Sequence, residues 1–155
     1  FARIAWTDRT SPAGKATIWN DGAWLPARES AGTELGWEYP SGTPLVPSNR
    51  PFHDRSGTND VFWGPSIHWN TYLNQYVMLL NRAKDDVFGQ DGIYVSFSPT
   101  LDPSGWSAPT RILSGGTWYP QVIGLDEGAG TDRLAGQRAR FFMMGRSERM
   151  IEFQR

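Results

Sequence analysis

The stretch from Phe62 to Pro109 constrains this chain more than any other. It reads FWGPSIHWN, a turn, QYVMLLNRA, a polar loop, DGIYVSFSP, a second loop, and GWSAPTRIL. Val, Ile, Tyr, Phe and Trp fill the runs, while Asn, Asp, Gly, Pro and Ser clusters separate them, which is the grammar of short antiparallel strands joined by turns. Four such strands in sequence make one small sheet. No segment of the chain keeps a helical period, so an all-β fold with little helix is expected.

Parts of that sheet recur on both sides of it. Asp8-Arg9-Thr10, Asn81-Arg82-Ala83 and Gly145-Arg146-Ser147 each place an Arg after a polar or small residue, at what reads as the end of a second strand. ATIWN, GIYVSF and RMIEF match as third strands, and Gly22 to Pro26 matches Gly105 to Pro109 as fourth strands. Gly64-Pro65-Ser66-Ile67 matches Tyr119-Pro120-Gln121-Val122 as first strands, 55 residues apart, while Arg9 and Arg82 lie 73 apart. Four-stranded units at such spacing are the sequence signature of β-propeller blades, and a sandwich would show no such repeat. The expected layout is a partial blade over 1–27, a long loop over 28–59, a full blade over 60–113 and a partial blade over 114–155. Three, four and three strands amount to about two and a half blades, half of a five-bladed propeller. Such a fan has bare edges, so a second chain or the missing half of the propeller is expected as a partner, with oligomerisation as one route.

Composition narrows the partners. At 155 residues the chain holds one domain with a core. Fifteen basic and 16 acidic residues give no reason to expect nucleic acid or an anionic membrane. No run reaches the roughly 20 apolar residues of a membrane helix. Thirteen of the basic residues are Arg, a residue suited to planar recognition of carboxylates, although Arg-rich codon usage gives the same count. With no Cys and two His, a transition-metal site is not expected; a structural calcium ion stays open. The absence of Cys leaves the compartment open, with an extracellular or periplasmic one favoured.

The run FWGPSIHWN, then YVMLLNRA, GIYVSFSP and the Trp-containing fourth strand, resembles a blade of the five-bladed β-propeller glycoside hydrolases, the arabinanases, β-xylosidases and fructan-cleaving enzymes. The resemblance covers Phe62 to Arg155 well and Phe1 to Ala27 loosely. It implies a carbohydrate-active protein whose channel mouth carries three carboxylates, two of which do the chemistry of glycoside hydrolysis. In this family the acid follows a Pro on the innermost strand. The matching positions here are Ser66 and Gln121, which do not serve as proton donors or acceptors at neutral pH as a carboxyl does. Either the carboxylates lie elsewhere or the protein binds without cutting, as a glycan-binding or assembly propeller.

Asp60 is the one candidate catalytic residue, because it immediately precedes an innermost strand; a turn-capping Asp is the plain alternative. Trp63, Trp118 and Tyr119 are expected to stack on sugar rings, and Ser66, Arg82, Gln121 and Arg146 to hydrogen-bond hydroxyls or a uronate. Arg9, Arg82 and Arg146 on one rim would resemble the arginine triad of sialidases, with Ser98 to Trp106 faintly like an Asp-box; blade-to-blade ion pairing is the alternative. His53-Asp54-Arg55 reads as a solvated loop cluster. His68 reads as a hydrogen-bonded core histidine.

Overall fold

The structure is a computed structural model that describes residues 1–27, 30–33, 36–38, 42–49, 61–85, 87 and 89–155. It is built of β-strands, with two short 3-10 turns and no α-helix among the described residues. The chain divides into two compact units, Phe1–Leu45 and Val46–Arg155.

In the first unit β1 (Ala2–Arg3), β2 (Thr17–Asn20) and β3 (Ala23–Pro26) form an antiparallel sheet in that order. The Asp21-Gly22 turn expected between β2 and β3 is present, both residues having positive φ, the backbone of the tight hairpin turn. Trp19 pairs with Trp24 across the ladder, their ring centroids 5.4 Å apart, and the Arg3 guanidinium sits 4.0 Å over Trp24. Two expectations need correcting. The strand read over Phe1 to Thr10 is cut to Ala2–Arg3, because Trp6–Asp8 curls into a 3-10 turn. Asp8 N–H donates to Ala5 O at 2.9 Å, the Arg9 side chain donates to Trp6 O at 2.8 Å, and Lys15 pairs with Asp8 at 2.8 Å. These local bonds outcompete a ladder. Arg9 therefore ends a turn, not a strand. The second correction concerns the long connection, which holds a hairpin of β4 (Ser30–Thr33) and β5 (Gly36–Glu38).

The second unit carries the long strands. β6 (Val61–Asn70), β7 (Gln75–Ala83), β8 (Gln90–Ser98) and β9 (Thr110–Ser114) form an antiparallel meander. The fourth strand read over Gly105 to Pro109 is corrected, because Pro103–Gly105 curls into a 3-10 turn and the ladder to β8 starts only at Thr110. The two faces of the meander follow from the two-residue period. Val77, Leu79, Ile93 and Val95 point to one face, and all are buried. Met78, Leu80 and Tyr94 point to the other and are buried as well. That explains why YVMLL and IYV are near-continuous apolar runs, as in any sheet covered on both faces. β6 bulges between Trp63 and Ser66. Gly64, with φ +56, supplies the left-handed residue, and Pro65 sits where the ladder is interrupted and no N–H is needed.

A second sheet comprises β10 (Gln121–Gly124), β12 (Arg138–Met143) and β13 (Arg146–Glu152), antiparallel throughout. β6, which contains Pro65, and β10, which follows Pro120, thus begin separate sheets. Val122, Ala139, Phe141 and Phe153 of this second sheet and its C-terminal extension pack against the Val77 face of the meander to form the core. Each fully buried Val, Leu, Ile or Phe there contributes about 1.5–3 kcal/mol. The polar segment 125–137 is not all loop. β11 (Leu134–Ala135) pairs parallel with the end of β6, through Trp69 N–H to Arg133 O at 2.9 Å and Thr71 N–H to Ala135 O at 2.8 Å. The buried Asn70 side chain adds a bond to Gly136 O at 2.9 Å. The loop can close this tightly because Gly124 lacks a side chain: a Cβ there would lie 1.6 Å from Ala129 O.

Candidate functional site

The rim worth describing lies where β6 begins, β7 ends and the chain 117–121 enters β10. Asn81 organises it. This residue interrupts the apolar run of β7, is fully buried, and uses its whole amide. Its Nδ2 donates to Thr117 O at 2.8 Å and to Gln90 Oε1 at 2.9 Å, while its Oδ1 accepts from Tyr119 N–H at 2.8 Å. Ser66 Oγ donates to Pro120 O at 2.6 Å. Met144 N–H donates to Trp118 O at 2.7 Å. The segment before β10 is therefore tied to β6, to β7 and to the β12–β13 turn.

These ties hold Tyr119 in a left-handed backbone conformation, φ +59. For a non-glycine residue that costs about 1–3 kcal/mol, an amount that hydrogen bonds of about 0.5–1.5 kcal/mol each offset. The ring that results is 64 % exposed. It lies against Gly64, where an added Cβ would come within 3.3 Å of Tyr119 Cδ1. Trp63, the residue before Gly64 and the ladder partner of Asn81, is partly exposed too. Trp118 is half-buried and Gln121 exposed. The structure thus brings Trp63, Ser66, Trp118, Tyr119 and Gln121 to one rim of the second unit, with Ser66 committed to the Pro120 carbonyl.

Arg82 behaves differently. It lies opposite Phe62 in the ladder, on the face away from Asn81, and its Nη1 donates to Asp91 Oδ2 at 3.2 Å and to Tyr94 Oη at 2.9 Å. Tyr94 Oη in turn donates to Asp91, and Arg111 approaches the other carboxylate oxygen at 3.5 Å. The Tyr94 hydrogen bond first, then the Arg82 and Arg111 charges, holds the Asp91 carboxyl below its usual value. Phe62 meets the Tyr94 ring edge-on, with centroids 5.1 Å apart. Arg82 thus makes an ion pair within its own sheet, from β7 to β8, rather than the blade-to-blade pair that the sequence reading weighed. Arg146 is corrected in position: the two-residue turn Met144-Gly145 precedes it, so it starts β13, opposite Met143, and does not end a second strand. Its side chain is exposed. The repeated arginines therefore do not occupy equivalent strand ends.

Asp60 and the His53-Asp54-Arg55 cluster lie outside the described residues. His68 is a core residue, 2 % exposed, but the expected hydrogen bond is missing: its Nε2 has no partner among the described residues. Its ring centroid lies 5.7 Å from that of Phe153, and burial lowers its pKa from 6.5 to about 4. Asp102 accepts from Ser104 N–H at 2.9 Å and from Ser104 Oγ at 2.6 Å, capping the 3-10 turn Pro103–Gly105. Among the described residues there is no cluster of three metal-ligating side chains. The residue that sequence reasoning passed over is Asn81. The signal was available, because an amide inside an apolar strand must find buried partners.

The chain matches no family model, no curated protein and no solved structure.

Proposed function

We propose that this chain contributes an aromatic, carbohydrate-binding rim to a β-propeller-type protein, and that it binds sugar through this rim without itself supplying the catalytic acid. The observation that carries the reading is the presentation of Tyr119: an exposed ring on a clamped left-handed backbone, lying against Gly64. A flat aromatic face fixed before the ligand arrives loses little entropy on binding, and the axial C–H groups of a pyranose stack on such a face. Gln121 offers amide hydrogen bonds to hydroxyls. Arg146, exposed at the start of β13, offers a cation to a uronate. At the two positions where the glycoside hydrolase resemblance implies an acid stand Ser66 and Gln121.

The propeller itself is part of the proposal. It is supported by two separate sheets, one opening on β6 with Pro65 inside it and the other on β10 just after Pro120, and by the central sheet being buried on both faces. Completion by a second chain or a further half rests on the sheet edge at β9, with which no further strand pairs among the described residues, and the mass of the native particle tests it.

The binding test is a titration of oligosaccharides from a glycan array, with a turnover assay on the same sugars. Tyr119→Ala should weaken binding about tenfold, the equivalent of 1.4 kcal/mol, while leaving the melting temperature within a few degrees of the parent. Undiminished binding by that variant would discard the rim. Sugar release by the isolated chain would return the hydrolase reading to first place.

A further inference from the structure

A groove of about 370 Å³ lies between the outer strand of the meander and β13. Its walls are apolar: Val95, Phe97 and Leu113 on one side, Phe141, Ile151 and Phe153 on the other. We propose that this groove binds an extended peptide of another protein, which adds to β13 as an antiparallel strand and alternates apolar with basic side chains.

The ladder shows which backbone groups are available. Phe153 N–H donates to Gln137 O at 2.9 Å, and the register pairs Ile151 with Ala139 and Arg149 with Phe141. By the alternation of antiparallel ladders, residues 149, 151 and 153 turn their N–H and C=O groups toward β12. Met150 and Glu152 turn theirs away, and Glu148 lies at the register shift between Arg149 and Arg146. Among the described residues no strand pairs with that far edge. Met150 is 56 % exposed and Ile112, on the facing β9, 44 %, so the lips of the groove are apolar and accessible. A strand laid along the edge finds the N–H and C=O groups of Met150 and Glu152 in register, and puts alternate side chains into the groove.

The charges choose the occupant. Glu148 and Glu152 are exposed and flank Met150 on the outer face of the edge. A second copy of this chain pairing edge to edge about Met150 would set Glu148 against Glu152 twice, and like charges directly opposite destabilise a pair. A strand with Lys or Arg at the two outer positions has the complementary pattern. Arg149 shares the inward face with Ile151 and Phe153 and forms no ion pair among the described residues, so the inward position opposite it takes a carboxylate. The recognised segment is apolar inside, basic outside, with one acid toward Arg149.

The probe is a capped synthetic peptide of about ten residues, alternating Val and Lys with a single Glu at the position facing Arg149, followed by fluorescence anisotropy. Saturable binding is expected, lost when alternate amides are N-methylated, and at least tenfold weaker for a peptide in which Glu replaces every Lys. The double variant Glu148→Lys, Glu152→Lys should invert that order. Met150→Pro, a change that an edge strand tolerates, should abolish binding at an unchanged melting temperature. The proposal is overturned by absence of saturable binding, by equal binding of the N-methylated peptide, by an order that ignores the charge reversal, or by self-association of the chain through the same edge.

Discussion

Acidification from pH 7.5 to pH 5 should destabilise this protein through one side chain. His68 sits in the second unit at 2 % exposure, and its pKa falls from 6.5 to about 4 because the imidazolium would be stripped of water. The unfolded chain therefore binds the proton more tightly than the folded one. Stability contributed by the neutral ring is complete above pH 6.5, declines as the pH drops toward 4, and changes no further below that. A difference of about 2.5 units corresponds to about 3 kcal/mol at the acid limit, and about 2 kcal/mol is already lost at pH 5. Net stability of a domain is about 5–15 kcal/mol, so the change is large. With a urea dependence of about 2 kcal/mol per molar, the unfolding midpoint should drop by about 1 M. His68→Leu removes the titration, and it also removes an Nε2 that lacks a partner among the described residues, so it should leave stability at pH 7.5 similar and flatten the profile between pH 7.5 and 5. The assay is urea unfolding followed by Trp fluorescence at both pH values, with an NMR titration of the imidazole as a direct check. A His68→Leu variant that loses the same midpoint as the parent on acidification would refute the reasoning.

Three further outcomes follow from the same structure. Asn81→Ala leaves Tyr119 N–H and Thr117 O without their partner, and a buried unpaired group costs about 1–3 kcal/mol. Chemical denaturation should show that loss, and sugar binding should fall with it, whereas Arg82→Ala should lower stability with little effect on binding. Gly124→Ala puts a Cβ 1.6 Å from Ala129 O, so β11 must detach from β6; hydrogen exchange at Trp69 and Thr71 should accelerate sharply while that at Leu79 does not.

The sequence by itself determined the strand content and much of the order. The alternation of Val, Tyr, Ile and Phe with turn clusters at 71–74 and 99–105 is local information, and β6 to β8 formed where it indicated, whereas the fourth strand began at Thr110, after the Gly105 to Pro109 segment read as strand. The pair Asp21-Gly22 specified its turn because few residues other than Gly, Asn and Asp accept its backbone. Pro65 and Pro120 marked the two strands that open separate sheets. Tertiary structure decided the remainder, because it concerns partners distant in sequence. Arg82 and Arg146 look equivalent in a local motif, yet one meets Asp91 and Tyr94 across a ladder and the other follows a turn. β11 exists only because Gly124 lets residues 129–135 fold back beside β6. A two-residue strand has almost no local signature. His68 reads the same in any strand, but whether its nitrogen finds a donor or acceptor depends on the sheet packed over it. The Tyr119 conformation is likewise invisible locally: nothing in Trp118-Tyr119-Pro120 prefers a positive φ, and the buried Asn81, 38 residues earlier, holds it there.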